Sequence, residues 1–135
     1  MKTILVCYEE RPVAARVLER AALFAKALGA KVIVTSVAPA VYGRGGPIDV
    51  VDPPARHEVE VEDAAARLGE LGVAGVETVA GFGDPARTIV DLADERRVDL
   101  IVLGAHDGGL FSRLFEGSIG DTVVHKAHTD VLVVH

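Results

Sequence analysis

The sequence predicts an α/β domain spanning residues 1–135, with a mostly parallel sheet covered by helices on both faces. Short apolar runs of strand length alternate along the chain with stretches of helical period. The runs are near-continuous in Val, Ile and Leu, as expected of strands buried on both faces. The 135 residues suffice to bury one core, and neither a repeat nor a second domain is visible.

Thr3 to Tyr8 is the first strand. A helix follows from Pro12, whose fixed φ suits a helix start. Val13, Val17, Leu18, Ala21, Ala22, Phe24, Ala25 and Leu28 form its broad apolar face, and Gly29 stops it. Lys31 to Val37 is the second strand. Ala38 to Ala55 holds four prolines and three glycines without sustained period, and reads as a long surface loop. Arg56 to Leu71 is helical, with polar residues dominating its first half and Gly72 closing it. Val73 to Ala80 reads as the third strand and Gly81 to Asp84 as a turn. Asp84 then caps a helix with Pro85 at its first position and Ile89, Val90, Leu92 and Ala93 facing inward. Asp99 to Leu103 is the fourth strand, Ser118 to Ala127 the last helix and Val131 to Val134 the fifth strand. Crossovers between such strands are right-handed.

Composition excludes several function classes. No apolar run approaches the roughly eighteen residues of a membrane span, and the N-terminus opens on a strand rather than a signal peptide, which predicts a cytoplasmic protein. The formal charge is −6, with Lys and Arg scattered, and two Tyr, four Phe and no Trp leave little for base stacking, so a nucleic-acid partner is not expected. The single cysteine, Cys7, lies in an apolar run and reads as packing rather than redox chemistry.

In sheets of this kind ligands sit beyond the carboxyl ends of strands where the strand order reverses, so the loops after the first and fourth strands are the places to look. They hold Glu9 to Arg11 and Gly104 to Ser118, the latter reading GAHDGGLFSRLFEGS. A glycine ending a buried strand and a Gly-Ser opening a helix suit a phosphate, because glycine admits close backbone approach and the first N–H groups of a helix carry partial positive charge. His106 lies in this loop, where it either donates to a phosphate oxygen or only lines the turn.

The segments ILVCYEE, GAKVIVTSV, GDPARTIVDLADERRVDLIVLGAH and FEGSIGDTVVHKAHTDVLVV closely resemble the universal stress protein family, over nearly the whole chain. The resemblance implies an adenine nucleotide alpha hydrolase-like fold, an open five-stranded parallel sheet in the order 3-2-1-4-5. It also implies a homodimer joined through the last strand, Asp130 to His135. An apolar edge strand that needs covering agrees with this independently. Members that bind ATP carry G-x-x-G, nine residues, then G and Ser or Thr. Gly104, Gly117 and Ser118 match, with Ile119 next in line. Asp107 replaces the second glycine, and Gly108 and Gly109 follow it. By the same alignment Glu9 takes the place of the ribose-side Asp, and Val37 that of the strand-end residue whose backbone meets adenine. Glu10 and Arg11 depart from the family's Gly and Ser.

A carboxylate at Asp107 beside phosphates costs roughly 3 kcal/mol at about 5 Å and an effective dielectric of about 20. A bound Mg²⁺ or Mn²⁺ reverses the sign, so Asp107 is either an obstacle or a metal-side ligand. The implied function is ATP binding used as a regulatory, stress-response signal. The alternative is a nucleotide-free dimeric interaction protein of the same family. No G-x-S-x-G elbow, Walker lysine motif or Cys/His pair is present, which leaves at most slow ATP hydrolysis or autophosphorylation. A phospho-accepting receiver would need an acid where Ala80, Gly81 and Phe82 stand. Simpler roles also fit. Ser118 and Asp121 match a capping box, Gly83 to Pro85 a turn and helix cap, and His125 with His128 a surface pair lacking a third ligand.

Overall fold

The computed structural model describes residues 2–43, 46–50, 54–105 and 119–135. In chain order the elements are β1 (Thr3–Cys7), α1 (Ala14–Leu28), β2 (Lys31–Gly43), β3 (Gly46–Val50), α2 (Pro54–Glu70), β4 (Glu77–Gly83), α3 (Pro85–Glu95), β5 (Leu100–Gly104), α4 (Ile119–Lys126) and β6 (Asp130–Val134). Five strands pair in parallel in the order β4-β2-β1-β5-β6, the 3-2-1-4-5 arrangement expected. From β1 the chain builds outward through β2 to β4, then returns to the other side of β1 for β5 and β6. The order therefore reverses between β1 and β5.

The period of two along each strand sorts the core into two layers. Ile4, Val6, Val32, Val34, Leu100 and Val102 face α1 and α2, where they meet Val17, Leu18, Val61 and Leu68. Leu5, Ile33, Ile101 and Leu103 face the opposite way and pack with Ile89, Leu92 and Val123 of α3 and α4. β1 and β5 are central strands, which is why they read as unbroken apolar runs. Gly29 ends α1 in the left-handed region at φ 63°, and its N–H returns to Ala25 O. Asp84 caps α3 by accepting from the Arg87 N–H at 3.1 Å, with Pro85 in the first turn.

Three sequence expectations are corrected. Residues 38–55 are not one long loop: β2 continues to Gly43 and turns back into β3, an antiparallel pair with a register shift between Val41 and Tyr42. Pro47 fits β3, which among the described residues pairs with β2 alone. The third parallel strand is Glu77–Gly83 rather than 73–80, because β2 runs on as far as Pro39 and offers a partner to Gly81, Phe82 and Gly83, which had read as a turn. Phe24 and Leu28 of α1 are exposed, at 36% and 45%, rather than inward. They continue the flank of α1 that carries Val17, on the side of β5, while Lys26 on the other flank approaches Gly72 at the end of α2.

Candidate nucleotide site at the β1/β5 reversal

The carboxyl ends of β1 and β5 lie side by side at the reversal. Tyr8 prolongs the β1 ladder, its N–H bonded to Thr35 O at 2.8 Å, and Ala105 prolongs β5, its N–H bonded to Val134 O at 2.7 Å. Tyr8 and Ala105 thus form a fixed rim. Arg11 ties its two sides together: Nη1 donates to Ala105 O at 3.2 Å and Nε lies 3.2 Å from Glu9 Oε2. The Arg11 side chain is only 16% exposed and that of Glu9 31%.

Gly104 is dictated by this packing. A Cβ there would lie 2.6 Å from Val13 Cγ1 and 3.2 Å from Arg11 Nη2, so any larger residue displaces the start of α1 and the guanidinium together. The glycine that reads as a phosphate-loop residue therefore also admits the loop after β1 against β5.

Tyr8 forms the floor behind the rim. Its hydroxyl donates to Glu10 Oε2 at 2.8 Å and accepts from Arg67 Nη1 of α2 at 3.3 Å. Burial, reinforced by the bond to Glu10, pushes the phenol up to about 12. The neighbouring Cys7 thiol is likewise pushed up to about 12 by desolvation, which leaves it a packing residue rather than a nucleophile.

Beside Tyr8 lies a buried polar cluster that sequence reading missed. Ser36, His57 and Glu60 converge: Ser36 Oγ donates to Glu60 Oε2 at 3.0 Å and lies 2.5 Å from His57 Nδ1, with Ser36 and His57 at 2% and 3% exposure. A serine hydroxyl has one proton, and it goes to Glu60. His57 Nδ1 must then carry the hydrogen donated to Ser36, and this network assigns the tautomer. Arg56 completes the chain, Nε 3.4 Å from Glu60 Oε1. A hydroxyl inside the apolar run VIVTSV and a His-x-x-Glu spacing in the polar half of α2 were the available signals.

The structure brings together Glu9, Gly104 and the departing residue Arg11. Val37 is not a strand end: it lies within β2, paired with Gly81 of β4, half-buried against the layer under α3. Ile119 opens α4, packed on that same layer. His106, Asp107, Gly108, Gly117 and Ser118 lie outside the described residues. Among the described residues no group of three or more His, Cys, Asp or Glu is placed to hold a metal ion. His128 Nδ1 sits 3.2 Å from Asp94 Oδ2 at the surface. A cavity of about 190 Å³ opens at the opposite, amino end of the sheet between Thr3, Lys31, Gly75, Glu77 and Arg96. Its Arg96 is engaged by Glu77 at 2.6 Å.

The universal stress protein family model matches residues 1–135. Universal stress protein Rv1636 of Mycobacterium tuberculosis is 35% identical over 75 residues, 56% of this chain and 51% of that protein, so the matched stretch spans about half of this relative. Its crystal structure superposes with a TM-score of 0.64 at 31% identity, covering 99% of this chain and 94% of the other. A universal stress protein solved in complex with cAMP superposes with a TM-score of 0.77 at 26% identity, covering 99% and 97%. With a family match across residues 1–135 and a parallel sheet whose order reverses between β1 and β5, this chain belongs to the universal stress protein family.

Proposed function

We propose that this protein binds an adenine nucleotide, ATP, in the β1/β5 crevice and uses occupancy as a regulatory signal in the cytoplasm, acting as a homodimer rather than as a fast catalyst. The observation that carries this reading is the rim itself, where Arg11 joins Glu9 of the β1 loop to the end of β5 beside Gly104, at the reversal point of a parallel sheet. The complex of a structural relative with cAMP supports it. In this reading Glu9 accepts from the ribose hydroxyls and the Val37 backbone meets adenine. Gly104, His106, Gly108, Gly117, Ser118 and the N–H of Ile119 hold phosphates, and Asp107 would hold a Mg²⁺ or Mn²⁺ ion, which would supply positive charge to the phosphates.

The dimer forms along β6. Among the described residues β6 pairs with β5 alone, and its Val131, Leu132 and Val133 are half-buried. The exposed Phe24 and Leu28 of α1 lie toward that side of the sheet, which extends the apolar surface to be covered. Calorimetric titration with ATP, with and without Mg²⁺, tests the nucleotide reading. Micromolar, metal-dependent binding that Gly117→Val abolishes supports it. The absence both of heat and of nucleotide carried through purification sinks it, and leaves a nucleotide-free dimeric interaction protein.

A further inference from the structure

We propose that Arg11 reads the first phosphate of the bound nucleotide, so that this site discriminates nucleotides from nucleosides through a cation of the β1 loop. This rests on the nucleotide reading above and assigns a role to a residue outside the family's motif.

Among the described residues of the two loops, 8–13 and 105, Arg11 is the only cation. Its guanidinium is laid over the carboxyl end of β5, held by Ala105 O and Glu9 and close against Gly104, with little solvent access. Those contacts fix the position of a planar fork whose shape matches phosphate oxygens. Glu9 both steers the guanidinium and stands where the ribose hydroxyls are read. A sugar on Glu9 therefore brings the phosphate on its 5′ carbon to the cation that the same carboxylate holds. Glu9 keeps the partly buried guanidinium compensated before the phosphate arrives as its second anionic partner. In a chain of net charge −6 with a carboxylate at Asp107, a cation at this rim also offsets repulsion of the incoming anion.

The test is titration of the intact protein with adenosine and with AMP at two salt concentrations, repeated on Arg11→Gln and Arg11→Lys. A charge-assisted contact of ordinary strength makes AMP bind roughly 10- to 100-fold more tightly than adenosine. Arg11→Gln brings that ratio below about threefold and removes most of its salt dependence, and Arg11→Lys, with charge but no fork, gives an intermediate ratio. A merely structural Arg11 would weaken adenosine and AMP alike and leave the ratio untouched, which overturns the proposal. If Arg11→Gln fails to fold by circular dichroism, the wild-type ratio and the Arg11→Lys ratio decide: a wild-type ratio near one, or an unchanged one in Arg11→Lys, overturns it. Wild-type protein that binds neither ligand overturns the nucleotide reading itself, a result distinct from binding that ignores Arg11.

Discussion

At the scale of single residues, Gly104 and Tyr8 hold the rim of the crevice in different ways. A methyl at position 104 would overlap Val13 Cγ1 at 2.6 Å, so Gly104→Ala should destabilise the fold by about 1–3 kcal/mol in denaturant unfolding, as overpacking does. Val13→Ala should recover much of that loss in the double variant, a coupling that independent sites would not show. Tyr8 carries a pH signature. Its folded pKa of about 12 lies above the ordinary value of 10.0, so its contribution is fully present below pH 10 and is lost as pH rises toward 12. Tyr8→Phe should flatten that alkaline decline in stability, measured by thermal melts between pH 9 and 12. If wild type and variant decline in parallel, Tyr8 is not the group responsible. That Glu9 and Gly104 flank the reversal was legible in the sequence, because places relative to strand ends are local properties. Arg11 on Ala105 spans 94 positions and Ser36 on His57 spans 21. Such pairs exist only once the sheet has brought their strands and helices together.

At the scale of elements, legibility followed burial. β1, β5 and β2 as far as Val37 announced themselves because a strand covered on both faces is nearly all apolar. β4 was placed too early because its pattern is mixed, exposed at Glu77, Ala80 and Phe82, while Val73 in the preceding turn is apolar and buried. An apolar stripe gives the width of a helix face and not what covers it, which is how Phe24 and Leu28 came to be placed inward. β6 makes the prediction at this scale. If a second copy pairs along this edge, Val133→Lys sets two like charges close across the twofold axis and should weaken dimerisation at least about tenfold. Sedimentation velocity at micromolar protein would show the shift to monomer. A wild-type monomer, or a variant that stays dimeric, removes β6 from the assembly.

At the scale of the molecule, the order β4-β2-β1-β5-β6 does the functional sorting, because ligands of open parallel sheets bind where the chain reverses direction across the sheet. The opposite end offers a competing cavity between Thr3, Lys31 and Arg96, where charge pairing between Arg96 and Glu77 already occupies the guanidinium. Asp99 at that end accepts from the N–H groups of Lys2 and Thr3 at 2.8 and 3.0 Å, which holds its carboxyl below the usual range. The two ends of the sheet are thus chemically distinct, one carrying the Arg96–Glu77 pair and the Asp99 backbone bonds, and one the Glu9–Arg11 pair. The measurement that separates them is a titration of isotopically labelled protein with ATP and Mg²⁺, followed through backbone amide chemical shifts. Saturable shifts at Glu9, Arg11, Val37, Gly104 and Ala105 are the predicted result. Shifts confined to Thr3, Lys31, Glu77 and Arg96, or none anywhere, would contradict nucleotide binding at the β1/β5 reversal.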